Sequence, residues 1–88
     1  MNELENYLER LNAAYDNAIE NIKIQYSQGK NISAFRLLFD NNEPLLPYIT
    51  DLNTGAGLKN EDDNLSAMKE AAKRHLDFMN FVYTIKST

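Results

Sequence analysis

The chain has a single histidine, His75, and no cysteine. A general base needs a group that orients it, a nucleophile needs a base, and a structural zinc needs four nitrogen or sulfur ligands. His75 finds none of these nearby in sequence. Asp77, two residues away, falls on another helical face, and Glu70 and Lys73 fit no better. Serines 27, 33, 66 and 87 lie outside any nucleophile elbow. Asp62 and Asp63 are adjacent, so on a helix they splay apart instead of flanking a bond as a two-acid hydrolytic site does. The sequence therefore proposes no catalytic residue, no metal ligand set and no cofactor, and it reads as a non-enzyme. His75 is expected as a partly buried packing or interface residue.

Two loop patterns bear on ligand binding. The stretch Asp51 to Asp62 resembles the EF-hand calcium loop, with an acid first, Asn53 third, Leu58 eighth and an acid twelfth. It departs at Gly55, which has no side-chain oxygen. It departs again at Ala56, where the turn needs glycine, and at Lys59, a cation among would-be ligands. A plain connection followed by an acidic helix start is the expectation. Gly55-Ala56-Gly57 lacks the preceding strand and third glycine of a dinucleotide loop, and the Gly-Lys-Ser/Thr of a P-loop.

Two surfaces remain. Lys69, Lys73 and Arg74 are the only basic cluster, with Lys59 and Lys86 further off. Repeated around the axis of an oligomer, with Tyr7, Tyr15 or Tyr83 nearby, it could hold a nucleotide-like anion. The competing reading is a solvated helix face. The second surface is aromatic: Phe78, Phe81 and Tyr83 fall within six residues and spread around more than one helical face. With Tyr15, Met79 and Val82 they are the expected interface, because apolar surface in excess of one short chain's core is normally covered by a partner.

Helices must carry all of this. Leu4, Leu8, Leu11, Tyr15, Ala18, Ile22 and Tyr26 recur near the 3.5-residue period of a packed seam, with Tyr7, Ala14 and Ile19 on the flanks. Asn2 caps the start and Gly29 reads as the stop, giving a helix of about 3–27. Asn31 or Ser33 caps a short helix of about 32–39, carrying Ile32, Phe35, Leu38 and Phe39. Pro44 opens a third of about 44–52. Asn60 or Asn64 caps the last, about 61–86, whose first turn holds Glu61, Asp62 and Asp63. Its stripe reads Leu65, Met68, Ala72, His75/Leu76, Met79, Val82, with an intrahelical Glu70–Arg74 pair. The fold expected is an all-α bundle in one domain, 1–88: two long antiparallel helices with two short ones between.

Eighty-eight residues, 43% hydrophobic and 25% charged, suit one globular domain and argue against disorder. A chain of this size buries only about 60–65% of its unfolded surface, so a homo-oligomer is expected. Nine basic and 13 acidic residues give net charge −4, which does not favour nucleic acid or an anionic membrane. Mean hydropathy is −0.54 and no apolar run is long enough to span a bilayer. The polar N-terminus does not read as a secretory signal, so a cytoplasmic location is expected. The function expected is a self-associating helical interaction protein, an inhibitor or adaptor that occupies a protein partner. The alternative is an oligomer that sequesters a small anionic, nucleotide-like ligand.

Overall fold

The computed structural model describes residues 2–28 and 32–87, the side chains at 86 and 87 excepted. Of the described residues 86% are helical, and none is in a strand. Helix α1 spans Glu3–Ser27, α2 Ala34–Asn41, α3 Leu46–Thr54 and α4 Glu61–Ser87, with a 3-10 turn at Glu43–Leu45 leading into α3. The two long helices pack on each other, and the short ones fill one side of the pair. The molecule is elongated, 46 × 23 × 19 Å.

The caps follow the sequence chemistry. Asn2 Oδ1 accepts from Glu5 N at 2.8 Å, and Ser33 Oγ accepts from Arg36 N at 3.1 Å. Asn60 Oδ1 accepts from Asp63 N at 3.0 Å. Each satisfies one of the four N–H groups a helix start leaves open. Gln28 is the C-cap of α1; the expected stop at Gly29 and the alternative cap at Asn31 lie outside the described residues. The α2 helix lies two residues later than the spacing predicts, because Ser33 caps it and Asp40 and Asn41 continue it. Pro44 sits in the 3-10 turn and Pro47 in the first turn of α3, where a missing N–H leaves no helical bond broken.

Asn64 does not cap α4. Its Oδ1 turns back to accept from Ala56 N at 2.8 Å and Leu58 N at 3.3 Å, tying the 55–60 connection to the first turn of the helix. Gly55 adopts φ 88, ψ 157, a region essentially closed to side-chain-bearing residues. Residues 51–54 of the calcium-loop pattern are helical, and Asp51 accepts a hydrogen bond from the Tyr7 hydroxyl at 2.9 Å.

The core is built from Tyr7, Leu11, Tyr15, Ala18 and Ile22 of α1, Leu37 of α2, Leu45, and Ala67, Ala71, Phe78 and Val82 of α4. In α1 the stripe residues Leu11, Tyr15, Ala18 and Ile22 are buried, Leu4, Leu8 and Tyr26 are half-buried, and Tyr7 from the flank is buried. The α4 face departs from its stripe. Of the predicted stripe only Val82 is buried, and the rest of the core side is made by Ala67, Ala71 and Phe78. The larger residues Leu65 and Leu76 are left outside. In α2 the buried positions are Leu37 and Asn41, so Phe35 and Phe39 point outward. Asn41 is satisfied by donating its Nδ2 to Gln25 Oε1 and Leu37 O, both at 2.8 Å.

Candidate functional site

The outer face of α4 carries the site. Leu65, Met68, Ala72, Leu76, Met79 and Tyr83 recur every three or four residues and so share one side of a straight helix. Leu76 is 62% exposed and Leu65 and Tyr83 about half exposed, while Met68, Ala72 and Met79 are half-buried. Near its middle this face meets α2. There Phe35, Leu38, Phe39, Asn42, His75 and Met79 line an open apolar groove of about 240 Å³. Phe35 and Phe39 form its outer wall. They are 75% and 68% exposed, with rings stacked 6.2 Å apart at an interplanar angle of 23°. Beside them Arg36 Nε and the Asp40 carboxylate pair at 3.1 Å.

Of the expected interface residues, three are placed elsewhere. Tyr15, Phe78 and Val82 are buried within the chain at 0–1% exposure, so no partner can reach them. The reason is geometric: they lie on the inward faces of α1 and α4, and Phe78 meets the edge of Tyr15 with centroids 5.6 Å apart. Phe81 is half-buried against the core, Met79 lines the groove and Tyr83 is exposed. Sequence reasoning missed Phe35, Phe39 and Leu76 as surface residues. The only signal for the first two is their i, i+4 spacing, which describes a core-facing pair equally well.

His75 has a partner that its own helix does not supply. The Tyr15 hydroxyl lies 3.0 Å from His75 Nδ1, and the two rings pack edge to face with centroids 6.0 Å apart. Burial pushes His75 below the ordinary imidazole value. Burial also pushes the Tyr15 phenol up to about 12, against the opposing pull of the Arg74 guanidinium. Neutral imidazole accepting from a neutral phenol is thus the favoured pair. His75 lines the groove, and Tyr15 is buried behind it in the core.

The basic cluster is brought together only in part. Arg74 ion-pairs with Asp16 of α1 in place of Glu70, and its guanidinium carbon lies 6.0 Å from the Tyr15 ring centroid. Its Nε is buried without a hydrogen-bond partner. Lys73 and Arg74 line a polar depression of about 200 Å³ with Asn12, but Glu70 and Asp77 line it too. Lys69 is exposed and outside that depression. Two cations facing two carboxylates cancel, so within one chain the depression has no net attraction for an anion.

Among the described residues no group of three or more His, Asp or Glu is placed to hold a metal ion, and no helix is long and apolar enough to cross a membrane. No family model, curated protein or solved structure matches the chain, so its function is read from geometry alone.

Proposed function

We propose that the protein is a self-associating, non-enzymatic helical binding protein that acts by occupying a macromolecular partner. The observation carrying this reading is the apolar face formed by the outer stripe of α4 and the groove it shares with α2. Leu76 is 62% exposed on this face and Met79 joins the face to the groove, and exposed apolar surface of this kind on a small domain is normally a contact surface. Its shape suits a partner helix laid along α4, with an apolar side chain entering the groove. The test is capture of partners by the wild-type chain and by Leu76→Asp, a substitution at an exposed position that leaves the core untouched. A partner protein retained by the wild type and lost from Leu76→Asp supports the reading. Equal capture by both overturns it.

The second reading, an oligomer enclosing a small anion, is supported by the depression at Lys73 and Arg74. It requires neighbouring chains to bring further cations against Glu70 and Asp77. A phosphorylated small molecule that co-purifies with the wild type and is lost from Lys73→Ala/Arg74→Ala would favour it over the first.

A further inference from the structure

We propose that the exposed edge of α2 is the surface through which two copies of this chain associate, with the two α2 helices antiparallel about a twofold axis. The inference rests on the self-association named above and gives it a place. That place is not where the sequence put it. The α1 stripe and the inward stripe of α4 are consumed inside one chain. Among the described residues, α2 is then left with the two most exposed large apolar side chains, Phe35 and Phe39.

The charge pattern selects the occupant and its direction. The α2 segment reads Ala34-Phe35-Arg36-Leu37-Leu38-Phe39-Asp40-Asn41. Phe35 and Phe39 project from one side, flanked by the groove on one hand and by Arg36 and Asp40 on the other. An antiparallel copy centred on Leu37 sets Phe35 against the partner's Phe39, and on the flank it brings Arg36 to about 3 Å along the axis from the level of the partner's Asp40, within reach of the long arginine side chain. Both contacts are made twice, as a closed twofold interface requires. A parallel twofold copy places the Arg36/Asp40 flank of one chain opposite the groove flank of the other, so neither charge meets a counter-charge. The pattern is therefore self-complementary in one orientation only. The Arg36–Asp40 pair within each chain can exchange for two pairs between chains with no loss of ion pairing.

The size of the contact sets its strength. An aromatic side chain buries about 150–250 Å², so four rings at these exposures remove roughly 400–700 Å² from water. With the flanking groups the total stays below the ~1,200 Å² of a stable interface, so the dimer is a dissociating one.

Sedimentation equilibrium over about 5–500 μM tests this. The wild type is expected to move from the monomer mass of 10.1 kDa toward twice that value, and Phe35→Ala/Phe39→Ala to remain monomeric with unchanged helix content. The decisive arm is charge reversal. Arg36→Asp carries two acids on the edge and Asp40→Arg two bases, so each alone should be monomeric. Their equimolar mixture should dimerise as a heteropair, because the two acids of one variant then face the two bases of the other. A wild type that dimerises regardless of these changes overturns the α2 assignment and leaves self-association standing. A wild type monomeric throughout overturns both, while partner binding through α4 is judged separately by the Leu76→Asp comparison.

Discussion

The Tyr15 hydroxyl hydrogen-bonds to Nδ1 of His75 at 3.0 Å across 60 positions of sequence, and this contact joins the centre of α1 to the centre of α4. It makes the stability of the bundle depend on pH from both sides. Because burial lowers the His75 pKa, the unfolded chain binds the proton more tightly than the folded one. The contribution is full above the ordinary imidazole value of about 6.5 and is lost as pH falls from there toward the folded value. Urea midpoints should fall between about pH 7.5 and 5.5 for the wild type, and His75→Gln should flatten that slope. An unchanged slope would remove His75 from the account.

At alkaline pH the sign reverses. Tyr15 is pushed up to about 12 by burial, and Tyr7 is raised by burial and by its hydrogen bond to the Asp51 carboxylate. The folded chain therefore holds these phenolic protons more tightly. Their stabilisation is present below about pH 10 and is lost as pH rises from there toward about 12. Tyrosinate absorbance should show two of the five tyrosines titrating late, in step with unfolding. Tyr15→Phe should leave one late tyrosine, and a single unshifted titration of all five would contradict the burial.

The two stripes of α4 should respond differently to truncation. Phe78→Ala opens a cavity among Tyr15, His75 and the core and should cost about 3–5 kcal/mol, enough to unfold a marginal domain. Leu76→Ala, two residues earlier and on the outer face, should change stability by less than about 0.5–1 kcal/mol. Chemical denaturation of the two variants measures this directly. Equal losses would mean that the outer stripe is structural.

The connection before α4 is held by Asn64 and by the conformation of Gly55. Asn64→Ala leaves Ala56 N and Leu58 N without their acceptor and should cost about 1–3 kcal/mol. Gly55→Ala should cost a similar amount, because its φ is +88° and the new Cβ would lie 3.0 Å from Asn64 Nδ2. Millimolar calcium should shift the melting temperature of neither variant nor the wild type. A rise of several degrees with calcium, abolished by Asp51→Ala, would show that the 51–62 loop binds the ion.

The Arg74–Asp16 pair should be weak despite its contact. Asp16 is mostly exposed, and double-mutant cycles on exposed pairs give about 0.2–1 kcal/mol, screened by salt. Arg74→Ala alone should cost more than Asp16→Ala, since it also uncovers the Tyr15 ring. Equal costs in denaturation would place the whole effect in the ion pair.

Sequence alone determined the helices of this protein. Asn2, Ser33 and Asn60 are caps whose short oxygens reach N–H groups three residues on, and that chemistry is local. The single leucine and tyrosine stripe of α1 likewise left one face to bury. Tertiary structure decided the rest, because periodicity gives the direction of a stripe relative to its own helix and not what lies opposite. The α4 helix carries two stripes, and the core took the one with Ala67 and Ala71, leaving Leu65 and Leu76 outside, an outcome set by what packs opposite and not by side-chain size. In α2, Leu37 and Asn41 turned inward, and Phe35 and Phe39 were left to make the candidate interface. The partners of His75 and Arg74 were equally out of reach of local reading. Tyr15 and Asp16 lie 60 and 58 positions away, and only the packing of α1 on α4 brings them together.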